Sequence, residues 1–262
     1  MNVRDVLAIL VASVVGVTTV ASAAPADLDA SGTPASNFSV NPVQVSLSPA
    51  APSALLSLSN RSDQPQFFQL SAFEWQQVDR EQVRLTPTDD VIFLPALVRL
   101  APGEKRQVLI AADTTFGSTE KSYRLVVQKL PSAGDPVDPS ATAKMPTRMT
   151  IPVFLEASHQ LSLASVHGIR VEGGKLSLNV ENRGATHFIV DKIVVHGIAQ
   201  DGESLFEREL SGGYVLAGRT QTYDLLLPEG GCAQMAAIAL EVRIGKSVLR
   251  DTIETPSSMC AR

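Results

Sequence analysis

From Phe38 onward, apolar side chains recur at every second position in short runs, and turn residues separate the runs. Phe38-Ser-Val-Asn-Pro-Val-Gln-Val-Ser-Leu47 alternates and stops at Ser48-Pro49. Ser53 to Ser59 forms the next run and closes at Asn60-Arg-Ser-Asp63. Gln66 to Gln76 alternates strongly, with Phe68, Leu70 and Ala72 on one face and Phe67, Gln69 and Ser71 on the other. Val91–Leu94, Leu97–Leu100, Gln107–Ala112 and Ser122–Leu130 continue the series, and Ala101-Pro-Gly-Glu104 marks a turn. A period of two predicts strands, and no helical period outlasts a turn or two.

The same texture resumes after Glu156-Ala-Ser-His-Gln160, a polar hinge. Runs at Leu161–Val166, Gly168–Val171, Lys175–Glu181, Phe188–Gly197, Gln221–Leu227, Ile238–Ile244 and Val248–Ile253 follow, and Asp201-Gly202 between apolar runs signals a hairpin. Short strands with regular turns predict an all-β chain of two immunoglobulin-like β-sandwiches in tandem, residues 38–157 and 158–262. No sequence repeat is apparent between the halves.

One stretch departs from ordinary sandwich texture. Met145-Pro-Thr-Arg-Met-Thr-Ile-Pro-Val-Phe-Leu-Glu156 follows Pro131–Lys144, a run with nothing to build a core. In a strand, Met145, Thr147, Met149, Ile151 and Val153 share one face, and Pro146, Arg148, Thr150, Pro152 and Phe154 the other. Pro146 and Pro152 cannot donate ladder hydrogen bonds, which suits an edge. An open edge with an apolar face pairs with other chains, so proteins usually protect it. The stretch is therefore either an ordinary sandwich strand after a long loop or an edge offered to a partner.

Composition narrows the functions. The chain has 262 residues, enough for two cores, and a net charge of −5 with no Lys/Arg-dense patch, which gives no reason to expect nucleic acid. Arg4, the apolar run Val6–Ala21 and the small residues Ala21-Ser-Ala23 read as a signal peptide over 1–23 rather than a membrane anchor. Residues 24–37 are a small, polar leader without core-forming pattern. The exported chain is then expected to carry no membrane-inserted segment after cleavage. Cys232 and Cys260, an even pair in an exported chain, read as one disulfide, against two free thiols or a metal pair. His159, His167, His187 and His196 are scattered, and no nucleophile elbow, phosphate loop or zinc spacing is present. No catalytic residue, metal or cofactor is expected. Asn37-Phe-Ser39 and Asn60-Arg-Ser62 match the glycosylation triplet, which occurs commonly by chance.

The order of segments resembles the PapD-like family, the periplasmic chaperones of chaperone–usher pilus assembly. The matching residues are Phe38–Leu47, Leu97-Val-Arg-Leu-Ala-Pro-Gly-Glu104, Tyr123-Arg-Leu-Val-Val-Gln-Lys-Leu-Pro131, Ile151-Pro-Val-Phe-Leu155 and Tyr214-Val-Leu-Ala-Gly218. The Tyr-Arg-Leu and Ile-Pro-Val-Phe segments look most like the archaic, spore-coat-U-type branch. The resemblance implies an L-shaped pair of sandwiches in the periplasm. It also implies that the strand at 145–151 (the family's G1 strand) is lent to a pilus subunit lacking its last strand, and that the subunit is later yielded to an outer-membrane usher. By that alignment the donor face is Met145, Thr147, Met149 and Ile151. Adaptable methionines suit more than one subunit, and the loop Pro131–Lys144 would order on binding. Met149→Glu or Ile151→Glu is expected to leave the fold intact and stop capture.

The resemblance breaks at one point. Many members grip the subunit's C-terminal carboxylate with an Arg on the first strand and a Lys on G1. Here Gln44 and Pro152 fall at those positions. Arg124 and Arg148 are the nearest cations in sequence and become the candidate anchors, since a guanidinium binds a carboxylate bidentately. A competing function is an exported structural adhesin or pilus component. Self-capping of the free protein's apolar edge as an oligomer is a further expectation.

Overall fold

The computed structural model describes residues 37–78, 82–131, 147–228, 230 and 234–254. Among them lie seventeen strands. The first ten are β1 (Phe38–Asn41), β2 (Val45–Leu47), β3 (Ser53–Asn60), β4 (Gln66–Val78), β5 (Gln82–Pro87), β6 (Val91–Leu94), β7 (Leu97–Leu100), β8 (Lys105–Ala112), β9 (Lys121–Leu130) and β10 (Arg148–Leu155). They form two facing sheets, β1-β3-β8-β6 and β2-β10-β9-β4-β5, with β7 also paired to β4. Their inward faces close one core that includes Leu56, Leu58, Phe68, Leu70, Val108, Ile110, Leu125 and Val127. The face of β4 expected to be apolar, Phe68, Leu70 and Ala72, is the one that is buried.

The opening run is not one strand. Its two halves belong to opposite sheets: β1 pairs antiparallel with β3, and β2 pairs parallel with β10. Pro42 supplies no backbone donor where the chain crosses, so the ladder ends there. The strand β5 was not expected; it pairs with the C-terminal half of β4 from Phe73↔Pro87 to Val78↔Gln82.

Residues 156–163 carry no strand. Seven strands follow: β11 (Ala164–Glu172), β12 (Lys175–Asn182), β13 (Phe188–Ala199), β14 (Ser204–Val215), β15 (Thr220–Leu226), β16 (Met235–Ile244) and β17 (Ser247–Glu254). The sheets are β11-β12-β15 and β14-β13-β16-β17, and they enclose a second core around Leu176, Leu178, Ile193, Val195, Ile238 and Leu240. The expected strands 161–166 and 168–171 merge into one strand, β11, which begins only at Ala164 and carries a register shift between His167 and Arg170. Gly168 sits in that shift at φ +64, a backbone angle that glycine adopts without strain.

The halves do share a repeat, small in sequence but complete in hydrogen bonding. β3 ends at Asn60 and β12 at Asn182, and an arginine, Arg61 or Arg183, follows each. Asn60 Nδ2 donates to the carbonyls of Gln64 at 2.8 Å and Leu100 at 3.2 Å. Asn182 Nδ2 donates to the corresponding carbonyls of Thr186 at 2.8 Å and Val215 at 3.0 Å. Each asparagine Oδ1 accepts a backbone N–H two residues on, from Ser62 or Gly184. Each faces a turn with a positive-φ glycine, Gly103 or Gly218. A buried carboxamide thus ties three segments at one corner of each sandwich. The glycosylation triplet at Asn60 is this structural corner, with the side chain only 2% exposed.

Candidate binding edge and inter-sandwich cleft

Strand β10 lies between two neighbours along only part of its length. Arg148–Leu155 pairs with β9 throughout, but β2 covers only Val153–Leu155 on the other side. Lys129 N donates to Thr147 O at 2.9 Å and Glu156 N to Leu47 O at 2.8 Å. The backbone groups of odd-numbered residues therefore face β9, and those of even-numbered residues face β2 or the open side. Pro152 sits at the boundary, and its missing N–H removes the first donor beyond β2. The N–H and C=O groups of Arg148 and Thr150 form an edge with no strand beside it among the described residues.

Side chains divide the expected donor face in two. Ile151 is 2% exposed and belongs to the first sandwich's own core, as does Val153. Met149 is half-buried and packs at that core's rim, and Thr147 is exposed. The expectation that Ile151→Glu leaves the fold intact is corrected here: it would place a carboxylate among Leu125, Val127 and their neighbours, where an unpaired charge is costly. Met149 and Thr147 lie on the stretch that no second strand covers among the described residues. Met145 lies outside the described residues, as do 132–144, the N-terminal segment before Asn37, Cys232 and Cys260.

The opposite face of β10 is exposed at Arg148 and Thr150 and buried at Pro152 and Phe154. Phe154 is fully buried against Trp75 and Leu216, with Tyr214 packed beside them. Trp75 and Leu216 also line a cleft where the two sandwiches meet. Phe154 stacks on His187 with ring centroids 3.7 Å apart. Trp75 meets Tyr214 edge-on at 5.3 Å. Gln77 crosses the cleft: its Nε2 donates to Tyr214 O at 2.6 Å, and its Oε1 accepts from Leu216 N at 2.9 Å. Glu120 crosses it too, accepting from His187 N at 3.2 Å and lying 2.8 Å from His187 Nδ1. His187 is paired in this way.

Arg124 and Arg148 occupy different environments on one sheet face. Arg148 is exposed and pairs in register with Gln128. Arg124 pairs in register with Pro152, so its side chain starts beside the position where a G1 lysine was expected. Its guanidinium lies 3.5 Å from the centroid of the Trp75 ring and 5.6 Å from that of Tyr214. Burial holds Arg124 below the usual guanidinium value, and among the described residues no carboxylate pairs with it. Gln44, at the other expected cationic position, accepts the Tyr214 hydroxyl at 3.0 Å. The cleft thus gathers Arg124, Pro152 and Gln44, which the sequence placed far apart. Trp75, Gln77 and Glu120 were not singled out from sequence, and Tyr214 entered only as the start of the matching segment Tyr214–Gly218. Trp75 offered a faint signal as the chain's one tryptophan on an alternating strand, whereas the segment that begins at Tyr214 gave no sign of what its side chain meets.

Residues 37–159 match the family model described as Pili and flagellar-assembly chaperone, PapD N-terminal domain. No curated protein matches the chain. Solved structures are similar in fold. One is the CsuC–CsuE chaperone–tip adhesion subunit pre-assembly complex from archaic chaperone-usher Csu pili of Acinetobacter baumannii, at TM-score 0.55 and 18% identity over 84% of this chain and 98% of that one. The class 5 fimbriae chaperone CfaA matches at TM-score 0.52 and 11% identity over 84% and 100%. The Pseudomonas aeruginosa CupB2 chaperone matches at 0.51 and 16% over 82% and 98%.

Proposed function

We infer, from a first sandwich that matches the family model of the pili and flagellar-assembly chaperones, that this chain is a periplasmic chaperone that captures pilus subunits by lending them the start of strand β10. The observation that carries this reading is the open edge at Arg148–Thr150, flanked by Met149 and Thr147 on the apolar side. An incomplete sandwich exposes a long apolar groove and aggregates. Main-chain groups of an added strand pair with any sequence, and alternate side chains fill the groove. Met145 extends the same face by sequence alternation, so Met145, Thr147 and Met149 are the inserted residues. Ile151 is the core residue that fixes where the lent segment begins. Cargo would then pass to an outer-membrane usher, and the exported N-terminus and the Cys232–Cys260 disulfide belong to this periplasmic setting.

Arg124 is the carboxylate anchor in this reading. The family's lysine position holds Pro152, and the cation comes instead from the adjacent residue on the neighbouring strand. A partly buried guanidinium with no acidic partner among the described residues is poised for a chain terminus. Arg148, exposed near the start of the edge, would contribute a screened surface charge.

The test is co-expression of the mature chain with a secreted one-sandwich protein lacking its last strand, followed by size-exclusion chromatography of the periplasmic extract. A 1:1 complex that Met149→Glu abolishes, with the far-ultraviolet circular dichroism of the variant unchanged, is expected. A complex that forms equally with Met149→Glu would refute strand donation. Recovery of the chain in purified fibres would make it a structural component instead.

A further inference from the structure

We propose that Trp75 and Tyr214 are positioning residues that hold the Arg124 guanidinium flat and unpaired, so that the second sandwich completes the site that receives a strand's terminal carboxylate. This rests on the reading of Arg124 as the anchor.

A guanidinium withdrawn from water normally takes a carboxylate partner, because an uncompensated buried charge is expensive. Arg124 has none among the described residues, and two aromatic faces take that place. The Trp75 ring lies 3.5 Å from the guanidinium carbon, well inside the range of a cation–π contact, and Tyr214 lies within the same range at 5.6 Å. Aromatic faces offset the lost hydration without occupying the N–H groups. The donor fork stays available for a carboxylate, which a resident Asp or Glu would have taken up.

The two rings are themselves fixed. Trp75 is 4% exposed and packed against Phe154 and Leu216. Tyr214 is held at both ends by the first sandwich. Its hydroxyl donates to Gln44 Oε1 at 3.0 Å, and its carbonyl accepts from Gln77 Nε2 at 2.6 Å. Gln44, where a cation was expected, therefore orients Tyr214 rather than the carboxylate. Tyr214 belongs to β14, so one wall of the site comes from the second sandwich and is present only while the two sandwiches are docked. Lysine at position 124 would not reproduce this arrangement, since an ammonium has no flat face to stack.

The probe is a short synthetic peptide of alternating valine and threonine, made soluble by N-terminal lysines and prepared with either a free C-terminal carboxylate or a C-terminal amide. Binding of both forms to the full mature chain is measured by calorimetry. Wild type is expected to prefer the acid about tenfold, the worth of one charge-assisted contact. Trp75→Leu and Tyr214→Leu should lower that preference to roughly threefold or less with the amide affinity unchanged, and Trp75→Phe, which keeps a ring face, should retain most of it. Arg124→Gln should abolish the preference. If both leucine variants keep the tenfold ratio, or weaken acid and amide equally as a purely structural role would, the positioning role is overturned while Arg124 remains the anchor. If Arg124→Gln leaves the ratio intact, or wild type shows none, the anchoring reading itself fails.

Discussion

Ile151 and Met149 share one strand face two residues apart, yet their truncation should have very different effects. Ile151 is 2% exposed, opposite Leu125 in register and enclosed by the first core, whereas Met149 only packs at its rim. Ile151→Ala deletes a buried branched side chain and leaves a cavity, which costs about 3.5 kcal/mol. A sandwich of this size has a urea dependence of about 1.5 kcal/mol per molar, so the unfolding midpoint should fall by about 2 M. Met149→Ala removes a half-buried group worth about 1 kcal/mol, a midpoint shift below about 1 M. Urea titration followed by the fluorescence of Trp75, the chain's one tryptophan, reads both. If Ile151→Ala shifts the midpoint no more than Met149→Ala, Ile151 is not a core residue, and the division of β10 into open-edge and core parts is wrong. The same contrast explains why Met149, and not Ile151, is the position at which to test capture.

Asn60→Ala and Asn182→Ala should each destabilise their own sandwich by about 2–3 kcal/mol, because buried carbonyls lose their donor; equal thermal midpoints for wild type and variants would contradict the corner assignment. Gln77→Ala removes both of its bonds to Tyr214 and Leu216, so small-angle scattering should show a broader distribution of sandwich arrangements, and an unchanged profile would argue against the clamp. Asp224 is held below the usual carboxylate range, first by Lys175 and then by Ser177, and Glu241 likewise, first by Arg250. Their folded values lie below the unfolded ones, so their stabilisation is present above about pH 4 and is lost as pH falls through the depressed values. Asp224→Asn should flatten the decline in thermal midpoint below about pH 4, and an unchanged slope would remove Asp224 as a contributor.

Local pattern determined the strands. Alternation in Gln66–Gln76 fixed which face is apolar, because side chains of a strand point alternately to opposite sides whatever the fold. The turns at Ala101–Glu104 and Asp201-Gly202 were legible for the same local reason. The segment order, with Ile151-Pro-Val-Phe-Leu155 after the proline-bearing run, carried the family resemblance and its expected donor strand. Alternation could not say where the apolar face of β10 stops being open edge and starts being core. That depends on β2 ending its pairing at Val153, a contact across more than a hundred residues. Tertiary structure alone decided that Pro42 divides the opening run between two sheets and that β5 pairs with β4. It alone brought Arg124 beside Pro152 and placed Trp75 and Tyr214 around its guanidinium, because cross-strand register and inter-sandwich packing join residues that no local periodicity connects.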